Sequence, residues 1–97
     1  MTRTPHPAIE LRPVVLWFAQ QMELKLREND HKGGWHEMDP LDLCERIDEE
    51  LLELKESLAS PPRRNRVREA ADVAAMAMMV ADHFRDGGPS VDQGSTL

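Results

Sequence analysis

The sequence contains no tyrosine, and its aromatic residues amount to two Trp and two Phe. No stretch carries a strand signal. Cysteine is limited to Cys44, which excludes an intrachain disulfide and fits a reducing compartment. No histidine stands near Cys44 in sequence, and the residue lies on an apolar seam, so core packing is expected of it in preference to nucleophilic catalysis. No apolar run is long enough to cross a bilayer. The opening MTRTPHPAIELRP has no apolar core of a secretory signal, so a cytoplasmic location is expected. Positive charge is also short: 12 Lys and Arg against 18 Asp and Glu give a net charge of -6. This argues against nucleic acid and an anionic membrane as partners. It leaves a nucleotide ligand open, because a metal ion can supply the positive charge.

A length of 97 residues predicts one domain. Such a chain buries only about 60–65% of its unfolded surface, which makes it marginal alone and favours self-association. Helical spacing organises three segments between flexible tails at about 1–9 and 86–97. Helix 1 is expected from Leu11 to Glu28, with Pro13 in its first turn and Leu11, Val15, Phe18, Met22 and Leu26 on one face. The glycines of NDHKGGWHEMD end it. Helix 2 starts from an Asp39 cap followed by Pro40, with Asp42 at the third position. Its apolar seam reads Cys44, Ile47, Leu51, Leu54, Leu58, and SPPRRN ends it. Helix 3 is expected from Asn65 to Phe84. It is apolar on every side between Ala70 and Ala81, so it should be the central helix, with Met76, Met78 and Met79 as core filler.

Carboxylates interrupt this plan. With ~100° per residue, Glu50 falls roughly 80° and Glu53 roughly 140° from the centre of the helix 2 seam, on the same side. They are helical neighbours, as are Glu69 and Asp72 on helix 3. Glu49 shares the outer face of Glu53. Converging carboxylates repel one another and resist burial as charges. A hard divalent cation such as Mg²⁺ or Mn²⁺ removes both problems. Two such ions can clamp an in-line displacement at phosphorus. On the bland reading, E-x-x-E is a solvated helix face, and Asp72 is rescued by an arginine from Arg63, Arg64, Arg66 or Arg68.

With EELLELKE and REAADVA placed, and KLRENDHKGGWHEMDPLDL before them, the chain resembles the MazG-like all-α nucleoside triphosphate pyrophosphohydrolases over roughly residues 14–85. Small, often phage-encoded members are the most similar. The resemblance implies an all-α fold of three main helices, assembled as a dimer or tetramer around a four-helix-bundle core. It also implies Mg²⁺-dependent cleavage of a (d)NTP to (d)NMP and pyrophosphate, with dGTP or another purine nucleotide as substrate, in a bacterial or phage-infected host cytoplasm. Glu50, Glu53, Glu69 and Asp72 would be the metal ligands, and Glu49 would orient or deprotonate the attacking water. The 97 residues are fewer than in many members, so contacts that extra helices supply there are not expected from these residues, which leaves base selectivity open.

Other candidates stand around this set. Lys32 can neutralise phosphate, or simply be solvated. Trp35 can stack on a base, or pack. Asp82 can line the same pocket, or face solvent at the end of helix 3. His31 and His36 read as loop residues, Trp17 as packing and Gln21 as surface. The rival from another class is a non-enzymatic helical interaction module built on the Cys44–Leu58 seam. A di-iron carboxylate bundle is a further rival, but it would use Glu-x-x-His pairs, and neither half-motif contains His.

Overall fold

The structure, a computed structural model, describes residues 9–59 and 65–86. Among these residues the chain forms three α-helices and no strand: α1 (Pro13–Glu28), α2 (Pro40–Ala59) and α3 (Arg66–Asp82). The all-α class expected from the periodicity is the class observed. Apart from Ile9 and Asp86, the expected tails lie outside the described residues, as does SPPRRN apart from Asn65.

Local chemistry sets the helix starts. Pro13 opens α1, where its missing N–H costs nothing. Asp39 Oδ1 accepts from Leu41 N at 2.8 Å ahead of α2. Asn65 Oδ1 accepts from Val67 N (2.8 Å) and Arg68 N (3.3 Å) ahead of α3. Between α1 and α2 lies a short 3-10 turn, Asp30–Lys32, which the sequence reading treated only as a break. Gly33 follows it at φ +93°, where a side chain would be strained.

Helix α3 packs against both α1 and α2, which do not pack on each other. Positions 69–76 of α3 are all buried or half-buried, so its expected central place is observed. The close approach is made by Ala71 and Ala75, which are fully covered. Two further contacts tie the layers. Arg66 Nε donates to Ser57 O (2.8 Å) across the α2–α3 connection. Arg68 grips Glu28 of α1 with both guanidinium N–H groups, at 2.7 and 2.8 Å.

The α2 seam requires correction. The buried and half-buried residues are Leu43, Ile47, Glu50, Leu54 and Ser57, at steps of four and three, with Pro40 at the start and Glu53 beside Glu50 also half-buried. This face is rotated by roughly 60° from the seam drawn through the apolar residues. Cys44 is exposed, not core, and so are Leu51 and Leu58. The physical reason is that the inward face is not the most apolar one. It accepts Ser57, whose hydroxyl donates to Leu54 O at 2.7 Å, and it centres on Glu50. Among the described residues only Leu43, Ala71 and Ala75 are fully buried apolar residues, a very small core.

Candidate metal centre

Helix α2 brings Glu50, and α3 brings Glu69 and Asp72, to one point. One carboxylate oxygen of each lies within 4.8 Å of the others. The rotation of α2 explains the convergence, because Glu50 sits near the middle of the face that meets α3. Glu69 and Asp72 are one turn apart on α3 and project to the same side. Glu69 is 9% exposed, which makes its charge costly without a nearby cation. Burial, then the charges of Asp72, Glu53 and Glu69, push the Glu50 carboxyl above its usual range, and Lys25 partly offsets this.

The donor set fits a hard divalent cation: three carboxylates, all oxygen, no thiolate and no imidazole. Ligand oxygens on Mg²⁺ stand roughly 3–4 Å apart, so a small carboxylate rotation brings the set to that spacing. Mg²⁺ also keeps waters or phosphate oxygens in its shell, and three protein ligands leave room for them.

A cavity of about 320 Å³ opens beside the cluster. Its charged lining comprises Glu50, Asp72, Lys25, Lys32 and Arg46. Trp35, Met38, Leu43, Met76 and Met79 supply apolar surface. The cavity therefore combines carboxylates, cations and an aromatic face within the volume range of small-ligand pockets.

Trp35 is held in place from α3. Its Nε1–H donates to Asp82 Oδ2 at 3.0 Å, and Trp35 O lies 3.1 Å from His83 Nε2. Asp82 also meets Arg85 Nε at 2.8 Å and His36 Nε2 at 3.5 Å. The indole hydrogen bond, with the nearby Arg85, His36 and His83, holds the Asp82 carboxyl below its usual range despite its partial desolvation. Asp82 does not line the cavity. It positions a residue that does.

The other expected residues divide. Lys32 and Trp35 line the cavity, as the sequence predicts for substrate contacts. Glu53 is half-buried, close enough to act on Glu50, but is not one of the three converging carboxylates. Glu49 is exposed and outside the cavity lining. Trp17 is exposed against Phe18, with ring centroids 5.9 Å apart, and is not at the cavity. His83 serves Trp35, and the carboxylate cluster contains no histidine.

Lys25 is the residue that sequence reasoning missed. Its Nζ lies 3.4 Å from both Asp72 Oδ1 and Glu28 Oε1, and its side chain is 13% exposed. Where the bland reading would pair Asp72 with a neighbouring arginine, the structure places a lysine from α1. Arg68 pairs with Glu28, while Arg63 and Arg64 lie outside the described residues. Arg46 and Met38 also reach the cavity without a signal in the motif. Their one legible cue was position: Lys25 falls one turn before the end of α1, and Met38 and Arg46 flank the start of α2.

No family model, no curated protein and no solved structure matches this chain. Function is therefore read from the cavity and the motifs.

Proposed function

We propose that the chain is a Mg²⁺-dependent nucleoside triphosphate pyrophosphohydrolase of the MazG-like kind, with Mn²⁺ as an alternative ion. It cleaves a (d)NTP, with dGTP or another purine nucleotide as the preferred class, to (d)NMP and pyrophosphate. The observation that carries this reading is the convergence of Glu50, Glu69 and Asp72 from two helices beside a cavity that Glu50 and Asp72 line together with Lys25, Lys32, Arg46 and Trp35. Cations beside carboxylates suit a polyphosphate that arrives with a metal ion, and an indole face suits a base.

Glu50, Glu69 and Asp72 would hold the ion, which when bound neutralises charge on the phosphates and polarises the reacting phosphorus. Lys32 and Arg46 offer N–H donors to phosphate oxygens on the same cavity wall. Trp35, fixed by Asp82, presents its ring to the base without needing to be ordered on binding. A water oxygen bonds to the α phosphorus as its proton passes to a carboxylate or to solvent, the bond to the bridging oxygen breaks, and pyrophosphate leaves with that oxygen. The resemblance gives Glu49 the water; in a single chain Glu49 stands outside the cavity.

We also propose that the chain works as a homodimer or tetramer in the cytoplasm, because so little apolar surface is buried within one copy. Among the described residues no helix is long and apolar enough to cross a membrane. A second reading, a helical interaction module without catalysis, is favoured by one observation: Leu41, Leu51, Leu52 and Leu58 are all exposed on α2. The two readings part on chemistry. A panel of nucleoside di- and triphosphates with Mg²⁺ should show pyrophosphate, not phosphate, released from triphosphates. No release from any nucleotide would leave the interaction module as the better account.

A further inference from the structure

Lys25 brings a cation from a third helix into the carboxylate cluster. Its ammonium is 3.4 Å from Asp72 Oδ1, and its side chain is largely buried. Its other carboxylate neighbour, Glu28, is already gripped by both guanidinium N–H groups of Arg68. Glu28 therefore does not need Lys25 for charge balance, whereas Asp72, Glu50 and Glu69 present three carboxylates together. Lys25 also lines the cavity with Lys32 and Arg46. An ammonium and a divalent cation within a few ångströms repel strongly in a partly desolvated site. They cannot both share Asp72 at low cost.

We propose that Lys25 is a displaceable internal counter-ion: it neutralises the cluster in the metal-free protein, is expelled from Asp72 by a divalent cation, and turns to an anion in the cavity. The proposal rests on the metal-site reading above. The long, flexible lysine stem makes the move small, since the ammonium already borders the cavity. The device keeps the carboxylates from repelling one another before the ion arrives. It also couples loading of the ion to the appearance of a free cation facing the polyphosphate. Lys25 thereby competes with the ion in the empty site and assists the anion in the loaded one.

The test uses Mn²⁺ alone, without nucleotide, titrated into the wild type, Lys25→Met and Lys25→Arg and followed by calorimetry and electron paramagnetic resonance. Lys25→Met should bind Mn²⁺ at least about tenfold more tightly, because a nearby like charge has gone. Lys25→Arg, which keeps the charge, should stay near the wild type. Wild-type binding with unchanged or weaker affinity in Lys25→Met overturns the displacement alone. No Mn²⁺ binding by any of the three overturns the metal site and this proposal together. A measurement on the unaltered protein guards against a variant that fails to fold. Reactivity of the Lys25 amine towards an acylating reagent, read by peptide mass spectrometry with Lys32 as internal reference, should rise several-fold at saturating Mn²⁺. Equal reactivity with and without Mn²⁺ overturns the proposal.

Discussion

The two sides of α2 depart from the usual distribution of residues, with polar side chains set among Leu43, Ile47 and Leu54 on the inner one and leucines left on the outer one. The side against α3 carries Glu50 and Ser57, while the side left open carries Leu51, Leu52 and Leu58, the last two 57% and 62% exposed. Leucine gains about 1.5–3 kcal/mol on full burial, and a buried carboxylate loses several without a partner. A single chain optimised for its own stability would rotate α2 to put the leucines inside. On the proposed function the two faces would answer to different partners: the inner one to a cation and its ligand, the outer one to another copy of the chain.

The largest expected effect breaks the inner face. Asp72→Asn should lower pyrophosphate release at least on the order of 100-fold, since even outer-shell partners of metal sites cost 10–100-fold. The metal-free fold should survive, because Lys25 retains Glu28 at 3.4 Å when Asp72 loses its charge. Hydrolysis retained with a clear loss of apo stability would make Asp72 a structural ion-pair partner.

Breaking the outer face comes next. Leu51→Glu with Leu58→Glu should convert an oligomer to monomer in light scattering, as charges replace two apolar side chains in the contact. A wild-type chain that is a stable monomer at low micromolar concentration would remove the need for any partner on that face.

A smaller effect is expected at the cavity rim. Trp35→Ala should raise KM by roughly tenfold, in line with stacking worth about 1–3 kcal/mol per base. Asp82→Asn should do less, because the amide oxygen can still accept from the indole. A KM unchanged in Trp35→Ala would make this indole a packing residue.

Smallest is the pH dependence, where Glu50 on the inner face of α2 and Glu28 on α1 have opposite signs. Arg68, helped by Lys25 and opposed by partial desolvation, pulls Glu28 from 4.5 down to about 2. Glu28 thus stabilises the native state above pH 4.5 and loses that contribution as pH falls towards 2. The Glu50 carboxyl is raised above 4.5, so its ionised form is disfavoured in the native state. Protonation of Glu50 relieves this as pH falls through its raised pKa towards 4.5. Melting temperatures of the metal-free protein should therefore carry a Glu50 gain that Glu50→Gln removes, and a more acidic loss that Arg68→Ala diminishes. Salt should weaken the second, since Glu28 and Arg68 are exposed. Profiles identical in the variants would contradict these assignments.

The helices were legible because their signals are local: Pro13, Asp39 and Asn65 each act within one turn. So was the pairing of Glu69 with Asp72, one turn apart on a single helix, whereas Glu50 meets them from α2 without its helical neighbour Glu53. The rotation of α2 was not, because apolarity marks the face that needs covering without saying by what. A helix that works beside another copy carries two such faces. Lys25 and Arg46 escaped for a related reason. They reach the site from elements whose approach is fixed only by packing, and a lysine in the last turn of a helix otherwise reads as solvated surface. Asp82, read as lining the pocket or facing solvent, instead holds Trp35, and nothing in the spacing of Trp35 and Asp82 announces their hydrogen bond.

The proposed function stands on Glu50, Glu69 and Asp72 holding a divalent cation. Thermal melts of the wild type and Asp72→Asn in Mg²⁺, Mn²⁺ and EDTA test it most directly. An ion at 100 times its dissociation constant adds about 2.7 kcal/mol to the native state. The account predicts a wild-type midpoint several degrees higher in either ion than in EDTA, and little or no rise in Asp72→Asn. A wild-type midpoint that is the same in EDTA and across a wide range of both ions would contradict it.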